Sequence, residues 1–109
     1  MSMSVNSREK GAQFERDLAK YLRDRGYDSR RGQQYCGTSG DADVVGLPGI
    51  HIEAKRREKM ELYTWMAQAI RDSEGTGDIP VVIHKQSRKD ILVTMRLDDF
   101  MKIYEKGRE

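Results

Sequence analysis

Apolar residues recur along this chain in two different rhythms. From Ser7 to Arg25, Phe14, Leu18 and Leu22 stand four apart, Tyr21 joins them, and charges fill the positions between. That spacing predicts a helix with one apolar face. Asn6 or Ser7 is placed to cap its start and Gly26 to end it, which leaves residues 1–6 as a flexible leader. A second helix is predicted from Glu61 to Ser73, with Leu62, Trp65, Met66, Ala69 and Ile70 on one side, and a third from Leu97, aligning Phe100, Met101 and Tyr104. Between the first two helices the period shortens toward two. The polar stretch Tyr27 to Cys36 predicts an edge strand, "GTSG" at 37–40 a loop, and Ala42–Leu47 and Ile50–Lys55 the arms of a hairpin. "PVVIH" and "DILVTM" predict two further strands joined through "KQSRKD". The order α-β-β-β-α-β-β-α implies one α/β (α+β) domain, a mixed sheet with helices packed on it.

Composition narrows this only partly. With 109 residues, 37 % hydrophobic and 35 % charged, the core is modest, and covering part of the surface in an oligomer would help a domain of this size. The net charge of +2 conceals basic blocks, "RDRGYDSRR", "KRREK" and "KQSRK". Such blocks suit a polyanionic partner, but solvated faces look the same. Cys36 is the only cysteine, which excludes an intrachain disulfide and a cysteine-based zinc site, and no neighbouring base marks it as a nucleophile. "MSMSVNSREKGAQ" lacks the apolar segment of a secretory signal, and no run is long enough to span a membrane. The expected location is the cytoplasm.

The hairpin carries the chemistry. "DADVVGLPGIHIEAK" sets Asp43, Glu53 and Lys55 inside strands, where burial and β-propensity disfavour charge. Alternation puts His51, Glu53 and Lys55 on one face of the second arm. A three-residue loop, Leu47-Pro48-Gly49, puts Asp43 opposite Glu53 on that face, with Cβ atoms roughly 4.5–5.5 Å apart. A two-residue Pro-Gly loop would put them on opposite faces, and it needs a primed turn that proline cannot adopt. Two carboxylates this close repel unless a cation lies between them. Asp43, Glu53 and a backbone carbonyl, that of Ala54, offer oxygen ligands suited to Mg²⁺, with Mn²⁺ as substitute. Lys55 would stand beside that ion. The competing reading is a solvated hairpin with an Asp43–Lys55 salt bridge at its rim.

These residues resemble the core of the PD-(D/E)XK nuclease superfamily, which carries an Asp on one strand and E-x-K on the next. Asp43 stands for that Asp, with Ala42 where proline often stands, and Glu53-Ala54-Lys55 stands for E-x-K. Within the superfamily the chain is similar to the archaeal-type Holliday junction resolvases and their phage-borne relatives. "GAQFERDLAKYLRDRGYD" resembles their first helix, "TSGDADVV" their S-G…D segment and "WMAQAIRDS" the helix after E-x-K, in matching order from about Gly11 to Tyr104. The resemblance implies a restriction-endonuclease-like fold and metal-dependent hydrolysis of DNA phosphodiesters. It adds Glu15 as a further metal ligand, Ser39 near the scissile phosphate, Gln68 facing the site, and a homodimer to cut two strands of a four-way junction. Arg30, Arg31, Arg56, Arg57 and Lys59 flank the site in sequence and are candidate phosphate contacts. No base-reading element is visible, which suits recognition of DNA shape. The alternatives are a nickase or nuclease on other branched or duplex DNA, and a non-catalytic DNA-binding module of the same fold. His51 shares the face of Glu53 and reads as a cross-strand neighbour, with a catalytic or DNA-contacting role as the alternative; His84 reads as sheet packing, and Trp65, Met66 and Ile70 as core.

Overall fold

The computed structural model describes residues 3–32 and 42–108. Three helices and five strands follow the predicted order: α1 Met3–Asp24, β1 Arg30–Arg31, β2 Val44–Val45, β3 Ile50–Arg56, α2 Leu62–Ser73, β4 Ile79–Lys85, β5 Leu92–Thr94 and α3 Leu97–Gly107. The strands form one sheet in the order β1-β2-β3-β4-β5. Its pairs are antiparallel except β3 with β4, which run parallel and are joined by α2. The result is a mixed α/β sheet with a helix on each face.

Alternation along β3 and β4 sorts the two cores. Val44, Ile52, Ala54 and Val81 pack with Phe14, Leu18 and Ala19 of α1. Val82, on the opposite side of β4, packs with Trp65, Met66 and Ala69 of α2. His51 and Glu53 of β3 therefore face the α2 layer, as period-two geometry requires. His84 packs as expected: its ring lies 6.4 Å from that of Trp65, and its Nε2 is 2.8 Å from Thr94 Oγ1.

Gly26 ends α1 as predicted. Its φ is +97°, its N–H donates to Arg23 O at 2.9 Å, and the Tyr27 N–H donates to Leu22 O at 3.1 Å. That is the paired closure of a left-handed helix cap. Four expectations are corrected. The helix begins at Met3, so residues 3–6 belong to it and Asn6 and Ser7 lie inside the helix rather than capping it. Tyr21 is 51 % exposed and stacks under Arg25 at 3.7 Å instead of joining the core. Only Arg30 and Arg31 of the predicted first strand are extended among the described residues, and Cys36 lies outside those residues. The last helix does not close over the core: Asp99 is its one buried residue, while Leu97, Phe100, Ile103 and Tyr104 stay exposed.

The hairpin register is the predicted one. Val44 faces Ile52, and Ile50 N–H donates to Leu47 O at 3.2 Å. Pro48 at the second position of that turn and Gly49 at the third, with φ +81°, make it type II. Gly46 has φ +101°, and a Cβ there would overlap Asp28 O, whereas one at Gly49 would meet nothing within 4 Å. Glycine at 46 thus lets the approach to β1 pass against the hairpin. Gly46→Ala is expected to destabilise the fold more than Gly49→Ala. Both incur about 1–3 kcal/mol of backbone strain, but only the first also forces backbone apart. Urea melts of the two variants check this, and equal losses would contradict it.

Candidate active site

Asp43 sits where β2 leaves the ladder. Its N–H donates to Ile52 O at 2.9 Å, its carbonyl accepts from Gly32 N–H at 2.8 Å, and its Oδ2 accepts from Ala54 N–H at 2.9 Å. The expected side-by-side pairing of Asp43 with Glu53 is thus modified. The carboxylate reaches across to the backbone of β3 just beyond Glu53. Gly32 permits this, because a Cβ there would overlap Ala42 O.

Glu53 lies on β3 with only 2 % of its surface exposed. Lys55 Nζ is 3.6 Å from Glu53 Oε2 and donates to Gln68 Oε1 of α2 at 3.5 Å. From the other layer, Glu15 of α1 accepts from Arg31 Nε at 3.0 Å. Glu15, Asp43, Glu53, Ala54, Lys55 and Gln68 all line one open cleft of about 340 Å³. A residue from each helix layer thus meets the hairpin in one place. Ser39 lies outside the described residues.

The electrostatics follow from that crowding. Burial, then the Asp43 carboxylate, pushes Glu53 up to about 7; Lys55 opposes the shift, and Asp72 adds to it. Glu15 is also raised, first by burial and then by Asp43, with Arg31 pulling the other way. Carboxyls whose charged forms are disfavoured by burial and by the Asp43 carboxylate are under-compensated for positive charge. Their donors are oxygens, the ligand type of hard divalent cations. Asp43, Glu53, Glu15 and Ala54, whose N–H is already engaged by Asp43, therefore fit a Mg²⁺ or Mn²⁺ ion.

The basic residues divide. Arg31, Arg56 and Arg57 line the cleft. Arg56 is also tied to Glu58 at 2.7 Å and Ser87 Oγ at 2.9 Å. Arg30, on exposed β1, and Lys59, after β3, are not among its lining residues. Two cations escaped the sequence reading. Arg8 of α1 borders the cleft, and a second hollow of about 360 Å³ continues it past Arg8, Lys10, Arg56 and Arg57. The signal was present: Arg8, Gly11, Ala12 and Glu15 share a helix face by their spacing. That face is small and polar, so counting apolar residues passes over it. His51 was expected as an ordinary cross-strand neighbour, but it is buried beside Glu53 and Asp72 of α2.

Comparison with known proteins bears on what such a cleft does. No curated protein sequence matches the chain. Among solved structures, Archaeoglobus fulgidus Hjc, a Holliday junction resolvase from an archaeal hyperthermophile, superposes with a TM-score of 0.62 at 24 % identity, covering 78 % of this chain and 76 % of that one. That similarity places the fold in the restriction-endonuclease-like class. The sequence model of the phage PDDEXK endonucleases matches residues 6–109, which takes in every residue of the cleft. The chain belongs to the phage PDDEXK endonuclease family and is a nuclease.

Proposed function

We propose that this nuclease is a divalent-metal-dependent DNA endonuclease, selective for four-way junctions and acting as a homodimer in the cytoplasm. The observation that carries the reading is the convergence of Asp43, Glu53, Glu15 and Lys55 in one cleft, lined also by Arg31, that continues into a groove bearing Arg8, Lys10, Arg56 and Arg57. A non-catalytic DNA-binding module is disfavoured, because buried carboxylates facing a polyanion weaken binding.

Asp43, Glu53, Glu15 and the Ala54 carbonyl would hold Mg²⁺, for which Mn²⁺ would substitute. When bound, the ion supplies Lewis-acid polarisation of the phosphodiester and acidifies water. Lys55 Nζ, steadied by Glu53 and Gln68, offers a fixed positive charge and a proton donor to the phosphoryl oxygens as charge builds on them. Gln68 thus positions Lys55. The arginines hold flanking phosphates and read no base, which suits recognition by branch geometry. Hjc, whose fold this chain shares, is a junction resolvase; that favours junctions over other branched or duplex DNA.

A four-way junction needs two cuts and one chain has one cleft, so a two-fold dimer completes the activity. The β1 edge carries Arg30 and Arg31 and would set like charges together if it paired with its own copy. The last helix suits the role better. Leu97 is 72 % exposed, Phe100 and Tyr104 stack at 6.1 Å on the exposed helix, and Leu92 and Val93 of the β5 edge precede them in the chain, also exposed.

With labelled four-way junction and matched linear duplex, paired Mg²⁺-dependent cuts are expected in the junction alone. EDTA or Glu53→Gln should abolish them, and Lys55→Ala should slow them about 10²–10³-fold. Cutting of both substrates would remove the junction selectivity. Binding without cutting in either metal would overturn the catalytic reading. Sedimentation of wild type should give a dimer and Leu97→Asp a monomer with an unchanged circular dichroism spectrum, since exposed substitutions barely affect folding. A wild-type monomer at micromolar concentration would exclude the dimer.

A further inference from the structure

On the α2 side of Glu53 lies a second group of ligand-type side chains. His51, Glu53 and Asp72 each present one ligand atom, all within 4.8 Å of one another. Period two along β3 puts His51 and Glu53 on the same face, and Asp72 comes down from the last turn of α2. His51 is 4 % exposed, and among the described residues its Nε2 is the buried side-chain polar atom without a hydrogen-bond partner. Leaving such an atom unmatched carries its full desolvation cost. Asp72 is also poorly placed, because a helix C-terminus carries partial negative charge and disfavours a carboxylate. One bound cation would satisfy all three groups.

We propose that His51, Glu53 and Asp72 form a site for a divalent transition-metal ion of the Mn²⁺ or Zn²⁺ type, sharing Glu53 with the catalytic cleft. The separations suit it. Metal bonds of about 2.0–2.2 Å to nitrogen and oxygen set ligand atoms roughly 3–4.4 Å apart around one ion, so a small contraction closes the group. The donor set suits it also: one imidazole favours a transition metal over Mg²⁺, and two carboxylates neutralise its charge. The group lies between two hollows, since Glu53 lines the catalytic cleft and His51 lines a separate one of about 350 Å³ beside Thr76 and Asp78. The imidazole has a clear assignment, because the chain has two histidines and His84 is engaged by Thr94.

The site does not depend on DNA cleavage, and binding to the full DNA-free chain tests it. Pulsed electron paramagnetic resonance with one equivalent of Mn²⁺ should show nitrogen coupling in Asp43→Asn, where the catalytic ligand set is depleted. The coupling should disappear in Asp43→Asn/His51→Gln. Asp72→Asn in the same background should weaken Mn²⁺ binding at least about tenfold, the loss seen when groups supporting a metal site are removed. Mg²⁺ should compete poorly. Mn²⁺ bound without nitrogen coupling, coupling that survives His51→Gln, or an affinity indifferent to Asp72→Asn would each overturn the proposal. If His51→Gln fails to fold, the half-buried Asp72 position decides.

Discussion

Two carboxylates forced together at the end of a short hairpin are the constraint on which this structure turns. Asp43 is fastened by its own backbone and by the Ala54 N–H, while Glu53 is fixed by the parallel ladder of β3 with β4. Neither can withdraw without breaking main-chain pairing. The surrounding architecture serves that placement: Gly32 and Gly46 allow β1 and its approach to press against the hairpin, α1 brings Glu15 to the cleft, and α2 brings Gln68 to Lys55. Burial then turns proximity into chemistry, because repulsion that water would screen raises proton affinity instead. Destabilised charge at a functional site is a usual exchange between stability and activity.

The same sheet separates duties by face. Ile50, Ile52 and Ala54 of β3 build the apolar core under α1, and the opposite face of the strand carries His51, Glu53 and Lys55. The cleft draws on both helical layers, with Glu15 of α1 and Gln68 of α2 lining it beside the hairpin.

Much of this was legible in the residues. Period and turn chemistry gave the element order, the cap at Gly26 and the hairpin register, since proline before glycine leaves few turns open. Asp43, Glu53 and Lys55 stood out because charge inside a strand needs a reason. What escaped was tertiary. Register arithmetic pairs side chain with side chain, so it could not foresee that the Asp43 carboxylate would take the Ala54 N–H instead. Counting apolar spacing ignored the small polar face of α1 that carries Arg8. It aligned Leu97, Phe100 and Tyr104 on one side of the last helix without showing that this side stays exposed, because an amphipathic face does not say whether its own chain covers it. Asp72 was invisible for a similar reason: only packing brings α2 over His51.

The folded chain holds Glu53 against its own charge, and thermal melts of wild type and Glu53→Gln in chelator from pH 4 to pH 8 test this. A carboxyl whose pKa rises from 4.5 to about 7 on folding leaves stability intact below pH 4.5 and removes it as pH climbs through 7. Wild type should therefore match the variant near pH 4 and fall below it at pH 8. On the order of 1 kcal/mol, after discounting for solvent and Lys55, corresponds to about 4–8 °C in Tm. A variant that is less stable than wild type at pH 8, or a gap that does not change with pH, would contradict the account.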